Sequence, residues 1–209
     1  GGGSDLPQYY RHQEGCVLST SIDKYVYLSM HPYFMENKYF LKYSANELID
    51  DVEKIEHKII KQIFRQYGIN GVDFNSSADV PSGTGMGSSS AFTVGLIHLC
   101  NAYTGRSMSQ ETIAELACRI EIDDLKAPIG KQDQYACAVG GLNFISFQPD
   151  GVVRVEKISM QQSAYKELQN NLRLFYLGGI RQANSVLTEQ QKNTQEDDAT
   201  IRRLHKMVE

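Results

Sequence analysis

The chain has 209 residues, enough for one large domain or two small ones. Apolar residues make up 41% and charged residues 22%, an ordinary balance for a soluble globular protein. No apolar run reaches the ~18 residues of a membrane span. The 21 basic and 25 acidic residues, net −4, provide no basic excess for nucleic acid, so integral membrane and nucleic-acid-binding classes are excluded. The four cysteines (Cys16, Cys100, Cys118, Cys137) are widely spaced, with no C-x-x-C or H-E-x-x-H pattern to hold zinc. Two of them lie in apolar, helix-like contexts, as the reduced core thiols of a cytoplasmic protein do.

The chain opens on Gly1-Gly2-Gly3-Ser4-Asp5-Leu6-Pro7, with no methionine and no signal-like segment. Residues 15–30 are rich in β-branched and aromatic types, which predicts one or two strands, and Tyr39 to Tyr43 alternates weakly as another. From Ala45 to Tyr67, Leu48, Val52, Ile55, Ile59, Ile63 and Phe64 recur at helical spacing and Gly68 stops the run, so a single helix is expected. Val72 to Val80 alternates as a strand that Pro81 ends. A glycine-rich turn follows, then an apolar helix from Ser88 to Tyr103 with Gly105 as its stop. Ser107 and Gln110 form a capping box for the next helix, whose apolar face carries Ile113, Leu116, Ala117 and Ile120. Gly140 to Phe147 reads as a strand, Pro149-Asp150-Gly151 as a tight turn and Val152 to Val155 as the return strand. Leu172 to Leu177 reads as a short strand, after which Gly178-Gly179 leads into a polar helix that runs to the end. The fold class is α/β (α+β), with a break near residue 165: a first part at 1–165 and the start of a second at 166–209.

The chemistry concentrates in Pro81-Ser82-Gly83-Thr84-Gly85-Met86-Gly87-Ser88-Ser89-Ser90. Alternating glycines between a strand and a helix let the backbone approach a ligand closely. The serines fall at the helix N-terminus, where unpaired N–H groups and the positive end of the helix dipole favour a polyphosphate. Serine hydroxyls there can bond phosphate oxygens or ligate magnesium. A glycine-rich turn with serine caps explains the glycines equally well. The spacing fits neither a Walker A loop nor a dinucleotide-binding turn, and no G-x-S-x-G nucleophile elbow occurs.

Taken whole, this string resembles the Pro-x-x-x-Gly-Leu-Gly-Ser-Ser-Ala motif of the GHMP kinases, the superfamily of galactokinase and of homoserine, mevalonate and phosphomevalonate kinases. Met86 stands where leucine is usual and Ser90 where alanine is common. The resemblance implies a two-lobed kinase with an N-terminal lobe like domain 2 of ribosomal protein S5. It implies ATP bound across Pro81, Gly83, Thr84, Gly85, Met86, Gly87, Ser88, Ser89 and Ser90, with Mg2+ held by Ser89 and Glu121. By its position alone Glu121 borders an apolar stripe and reads as a solvated edge residue. Gly130-Lys131-Gln132-Asp133-Gln134 resembles the segment bearing the catalytic aspartate in galactokinase-like members, so Asp133 takes the proton of the attacking hydroxyl. A helix-capping aspartate is the plainer reading of Asp133. Lys131 either lowers its pKa and steadies phosphate charge or is a surface lysine.

Gly1 to Pro7, Ser19 to Tyr27, Gly130 to Tyr135 and Gly140 to Phe144 resemble the heptose 7-phosphate kinases and related fucokinases. That resemblance implies transfer to the anomeric hydroxyl of D-glycero-D-manno-heptose 7-phosphate, giving the 1,7-bisphosphate. Gly3, Ser4, Asp5, Gln134 and Arg181 would face the sugar, with Arg11 a second cation for the 7-phosphate. On sequence alone Asp5 is as readily a turn aspartate before proline. An L-fucokinase or other sugar 1-kinase, and a catalytically silent nucleotide- or sugar-binding regulator of the same fold, are the alternatives. A serine hydrolase would need a histidine paired to a serine, and His12, His31, His57, His98 and His205 show no such context. A small-molecule sugar phosphate and ATP are the expected partners, and a homo-oligomer is compatible. Against this family the first strand and much of the second lobe are expected to be missing, and the stretch alone is expected not to be a competent kinase.

Overall fold

A computed structural model describes residues 3–35, 37–81, 83–173, 175 and 198–208. The elements in order are α1 (Pro7–Tyr10), β1 (Gly15–Thr20), β2 (Val26–Pro32), β3 (Tyr39–Lys42), β4 (Asn46–Ile49), a 3-10 turn (Val52–Lys54), α2 (Lys58–Tyr67), β5 (Val72–Ala78), α3 (Ser88–Thr104), α4 (Gln110–Cys118), a π-helical turn (Arg119–Asp124), α5 (Gln132–Val139), β6 (Leu142–Phe147), β7 (Val153–Lys157), α6 (Gln162–Asn171) and α7 (Asp198–Val208). The mixed α/β class expected from the sequence is the one observed.

Among the described residues the strands form two sheets. One is antiparallel in the order β1-β6-β7, with Val17 opposite Ile145 and Ile145 opposite Val155. The other runs β2-β5-β3-β4, in which only the β5/β3 pair is parallel. The core lies where α2, α3 and α4 meet, against the inner side of this second sheet. Leu41, Ile60, Ile63, Phe64, Phe74, Leu96, Ile97 and Ile113 are buried there. Phe64 meets Phe74 edge-on with ring centroids 6.0 Å apart. Burying an aliphatic or aromatic side chain of this size stabilises by about 1.5–3 kcal/mol.

The single helix expected over 45–67 is replaced by β4, the 3-10 turn and α2. Asn46–Ile49 is the return strand of a hairpin, with Leu41 opposite Glu47. Here the inward residue is polar: Glu47 is buried and accepts from Tyr43 Oη at 2.7 Å and from the Glu56 N–H at 2.9 Å. Leu48 faces out, so its helical spacing from Val52 and Ile55 is a coincidence across three elements. The helix proper starts at Lys58, where His57 Nδ1 accepts from the Ile60 N–H, and ends on left-handed Gly68. The capping residue of α4 is Ser109, which accepts from the Thr112 N–H at 3.1 Å, and not Ser107.

β1, β2, β3, β5, α3 and the β6–β7 hairpin fall where the sequence predicts them. The expected break at residue 165 falls inside α6, which runs through it. The strand expected over 172–177 and most of the helix after it lie outside the described residues, apart from α7. Among the described residues no helix is long and apolar enough to cross a membrane.

Candidate active site

The glycine loop ends β5 and opens α3. Gly83, Gly85 and Gly87 all take positive φ, and Gly87 does so as the residue immediately before the helix. No side chain caps α3, so the N–H groups of its first turn are free to face a ligand. The Ser88 hydroxyl is buried there with no hydrogen-bond partner. A buried, unpartnered hydroxyl beside uncapped amides fits an anion with several acceptor oxygens. Thr84 bridges the loop's start, its Oγ1 donating to the Pro81 carbonyl at 3.1 Å.

Glu121 is nearly inaccessible, at 2% exposure, where the sequence reads as a solvated edge. It stands at helical spacing from the buried Ala114 and Ala117, at the start of a π-helical turn that continues α4 and is marked by the Leu125 N–H donating to the Ile120 carbonyl, and its side chain lies against α3. Glu121 Oε1 accepts from Ser89 Oγ at 3.1 Å and Thr93 Oγ1 at 2.9 Å. Its Oε2 accepts from Ser90 Oγ at 3.0 Å and Gln134 Nε2 at 2.6 Å. Four donors make this burial tolerable for a carboxylate. The sequence motif does not mark Thr93, whose one signal is a polar residue three positions after Ser90 in the apolar first half of the helix.

Asp133 is the second residue of α5, half-buried beside the glycine loop. A side chain at Gly87 would begin 3.7 Å from the Asp133 carboxyl, an ordinary contact, so loop and carboxylate lie side by side, and it is the positive φ at Gly87 that calls for glycine. Burial, then the neighbouring Asp5 carboxylate, push the Asp133 pKa up. Cys137, one turn further along α5, donates to the Gly87 carbonyl at 3.9 Å, and burial holds its thiol up at about 12.

Several expected site residues are placed otherwise. Lys131 does not attend Asp133: its ammonium donates to the Gly151 carbonyl at 2.7 Å and lies 5.4 Å from the Tyr10 ring centroid. Gln134 is fully buried behind Glu121 rather than facing a sugar. Ser4 is buried, its hydroxyl donating to the Cys16 carbonyl at 2.9 Å. Asp5 is buried too, with Oδ1 accepting from the Gly3 N–H at 3.2 Å and Oδ2 from the Gln132 N–H at 3.1 Å. These hydrogen bonds are all within the chain, and Gln134 Oε1 is buried without a hydrogen-bond partner. Arg181 lies outside the described residues. Arg11 is exposed and lines a cleft of about 710 Å3 with Tyr10, Arg119 and Lys131, which shares no residue with the glycine loop, Glu121 or Asp133.

The polyphosphate-like cradle, the Ser89–Glu121 pair and Asp133 therefore surround one helix terminus. Hydroxyl and carboxylate oxygens are the donor set of a hard cation that takes its remaining ligands from phosphate and water. Among the described residues no three His, Cys, Asp or Glu side chains group to hold a metal unaided.

Residues 52–141 match the family model described as the GHMP kinases N terminal domain. The D-glycero-alpha-D-manno-heptose 7-phosphate kinase of Campylobacter jejuni is 27% identical over 220 residues, covering 98% of this chain and 64% of that protein. A homoserine kinase of Caldanaerobacter subterraneus is 29% identical over 148 residues, covering 68% of this chain and 44% of its own. The chain thus spans less than two thirds of the length of these relatives. The crystal structure of a D-glycero-D-manno-heptose 1-phosphate kinase from B. thetaiotaomicron superposes with a TM-score of 0.74 at 22% identity, over 98% of this chain and 72% of that one. At that identity the likeness shows a shared fold.

Proposed function

We propose, from the match of residues 52–141 to the GHMP kinases N terminal domain, the activity of an ATP-dependent sugar kinase acting on a heptose phosphate. The observation that carries the reading is the meeting of the uncapped α3 terminus, the Ser89–Glu121 pair and Asp133 at one place. ATP places its phosphates on the amides of the α3 N-terminus, with Ser88 supplying its unpartnered hydroxyl. Ser89 and Glu121 would hold Mg2+, which when bound would neutralise charge on the phosphate oxygens. Ser90, Thr93 and Gln134 donate to Glu121 and keep it aimed.

The sugar hydroxyl oxygen attacks the γ-phosphorus as the bond from that phosphorus to the ADP oxygen breaks. The hydroxyl proton passes to the Asp133 carboxylate. A raised pKa suits this base, because a stronger proton acceptor takes the proton more readily. The sugar is a heptose 7-phosphate and the acceptor its anomeric hydroxyl, a reading supported by the C. jejuni relative and by the Gly-rich opening segment. The test is ADP release from Mg-ATP by the full-length polypeptide with D-glycero-D-manno-heptose 7-phosphate, L-fucose and mannose side by side. Turnover on the heptose phosphate supports the reading. Turnover on fucose alone keeps the mechanism and changes the substrate. ATP binding without turnover on any sugar replaces the enzyme with a binding regulator.

A further inference from the structure

The cleft of about 710 Å3 along α4 and its π-helical turn, closed by α1, Lys131 and the β6–β7 turn, takes no part in the proposed transfer. We propose that it is a binding site for the phosphate ester of a polyhydroxylated compound, distinct from the phosphate cradle of the glycine loop. Three cations line it: Arg11, Arg119 and Lys131. None is neutralised. The ion pairs among the described residues are all made within residues 31–73, and neither guanidinium makes a side-chain hydrogen bond there. Lys131 uses one of its three N–H donors on the Gly151 carbonyl. Three unpaired positive charges about one hollow favour an anion, and guanidinium groups grip phosphate through paired N–H···O bonds.

A second, independent feature points the same way. Tyr10 lines the cleft at 4% exposure, yet its hydroxyl makes no hydrogen bond among the described residues. Burial pushes its pKa up, against the pull of Arg11, so the phenol stays protonated and can donate. The other charges of the cleft define the rest of the ligand. Glu115, Asp123 and Asp150 line it too, and an ionised carboxylate only accepts hydrogen bonds. They disfavour a bare inorganic anion and suit a neighbouring hydroxyl group. A phosphate ester that also carries hydroxyls satisfies both sets, and a sugar phosphate is the simplest such compound.

The position of the cleft couples it to the chemistry. Arg119 lies two residues before Glu121, and Lys131 two before Asp133. An anion held by both cations would tie together the two segments that carry those carboxylates. This coupling rests on the proposed function, whereas the binding does not. The ester is either the remote phosphate of the sugar undergoing transfer or a separate sugar phosphate, and both present the same chemistry to the cleft.

The experiment uses the full-length polypeptide with Mg2+ and a non-hydrolysable ATP analogue filling the glycine loop. D-glycero-D-manno-heptose 7-phosphate, and the same heptose without phosphate, are titrated by calorimetry into wild type, Arg11→Ala/Arg119→Ala and Arg11→Lys/Arg119→Lys. Both arginines are exposed, so all three proteins should melt alike. The alanine variant should bind the 7-phosphate at the cleft about 10–100-fold more weakly and the unphosphorylated heptose within about threefold of wild type. The lysine variant, which keeps the charge without the planar fork, should fall between them. Two equivalents of 7-phosphate on wild type and one on the alanine variant assign the cleft to a separate ligand. One equivalent, weakened in the variant, with the sugar KM raised and kcat within about threefold, assigns it to the phosphate of the acceptor itself. Unchanged 7-phosphate binding in the alanine variant overturns the proposal. So does an equal weakening of the unphosphorylated sugar, a loss that lysine does not partly restore, or a wild type that binds no 7-phosphate. Binding that follows the predicted pattern in a protein that turns over no sugar removes the kinase reading and keeps the site.

Discussion

Replacing Glu121 separates its structural duty from its chemical one. Glu121→Ala removes the acceptor for four donors. Ser89 is exposed and finds water, and Thr93 keeps the Ser89 carbonyl as a second acceptor. Ser90 and Gln134 are left buried without one, at roughly 1–3 kcal/mol each, or about 2–6 kcal/mol together. That is a large part of the roughly 5–15 kcal/mol that holds a domain folded. Glu121→Gln has the same shape. Its carbonyl oxygen can serve Ser90 and Gln134, while its amide donates to the hydroxyls of Ser89 and Thr93, which accept as well as donate. Its stability should fall by less than about 1.5 kcal/mol. The lost charge should nevertheless weaken Mg2+ by about 100-fold or more. Urea unfolding of both variants, with ADP release titrated against Mg2+, reads the two effects separately. An unfolded Glu121→Gln would show that the charge itself holds α3 and the π-helical turn together. A Glu121→Gln with an unmoved Mg2+ midpoint would remove Glu121 from the metal site.

Further outcomes follow from the same geometry. Asp133→Asn should abolish turnover yet stabilise the fold. The pKa of Asp133 is higher folded than unfolded, so its ionisation favours the unfolded chain as pH rises through that window. The gain should therefore be absent below about pH 4 and grow above it in melts against pH, while wild-type turnover falls as acid protonates the base. Gly130→Ala forces Asp5 and α5 apart and should destabilise by about 3 kcal/mol or more, measured by urea midpoint. Ser90→Ala removes one of two donors to Glu121 Oε2 and leaves no orphan, so it should fold with a loss near 1–2 kcal/mol and keep turnover within a few-fold. Cys100, Cys118 and Cys137, whose thiols burial pushes up, should resist iodoacetamide at neutral pH until the chain is unfolded.

Much of this architecture is legible in the residues. Alternation marks β5, glycine punctuation marks both ends of α3, and Pro149-Asp150-Gly151 marks the turn between β6 and β7. The 45–67 region misleads because periodicity counts apolar residues, whereas β4 turns a glutamate inward and a leucine outward. At the site, residue types are readable and side-chain directions are not. The glycine loop, Ser89, Glu121 and Asp133 lie close together. Lys131, Asp5 and Gln134 come near as well, but their polar atoms serve a turn carbonyl, helix amides and Glu121 respectively. Glu121 points in because it shares a helix face with the buried Ala114 and Ala117, and α3 supplies its donors there.

The central claim is that phosphoryl transfer occurs at the α3 terminus with Asp133 taking the proton. The most direct test follows the phosphorus: 31P NMR of Mg-ATP and D-glycero-D-manno-heptose 7-phosphate with the full-length polypeptide, wild type against Asp133→Asn. A new sugar 1-phosphate resonance that grows as the γ-phosphate signal falls, and is absent in the variant while ATP still binds, is the predicted result. The same resonance at wild-type rate in the variant, or γ-phosphate appearing only as inorganic phosphate, would contradict it.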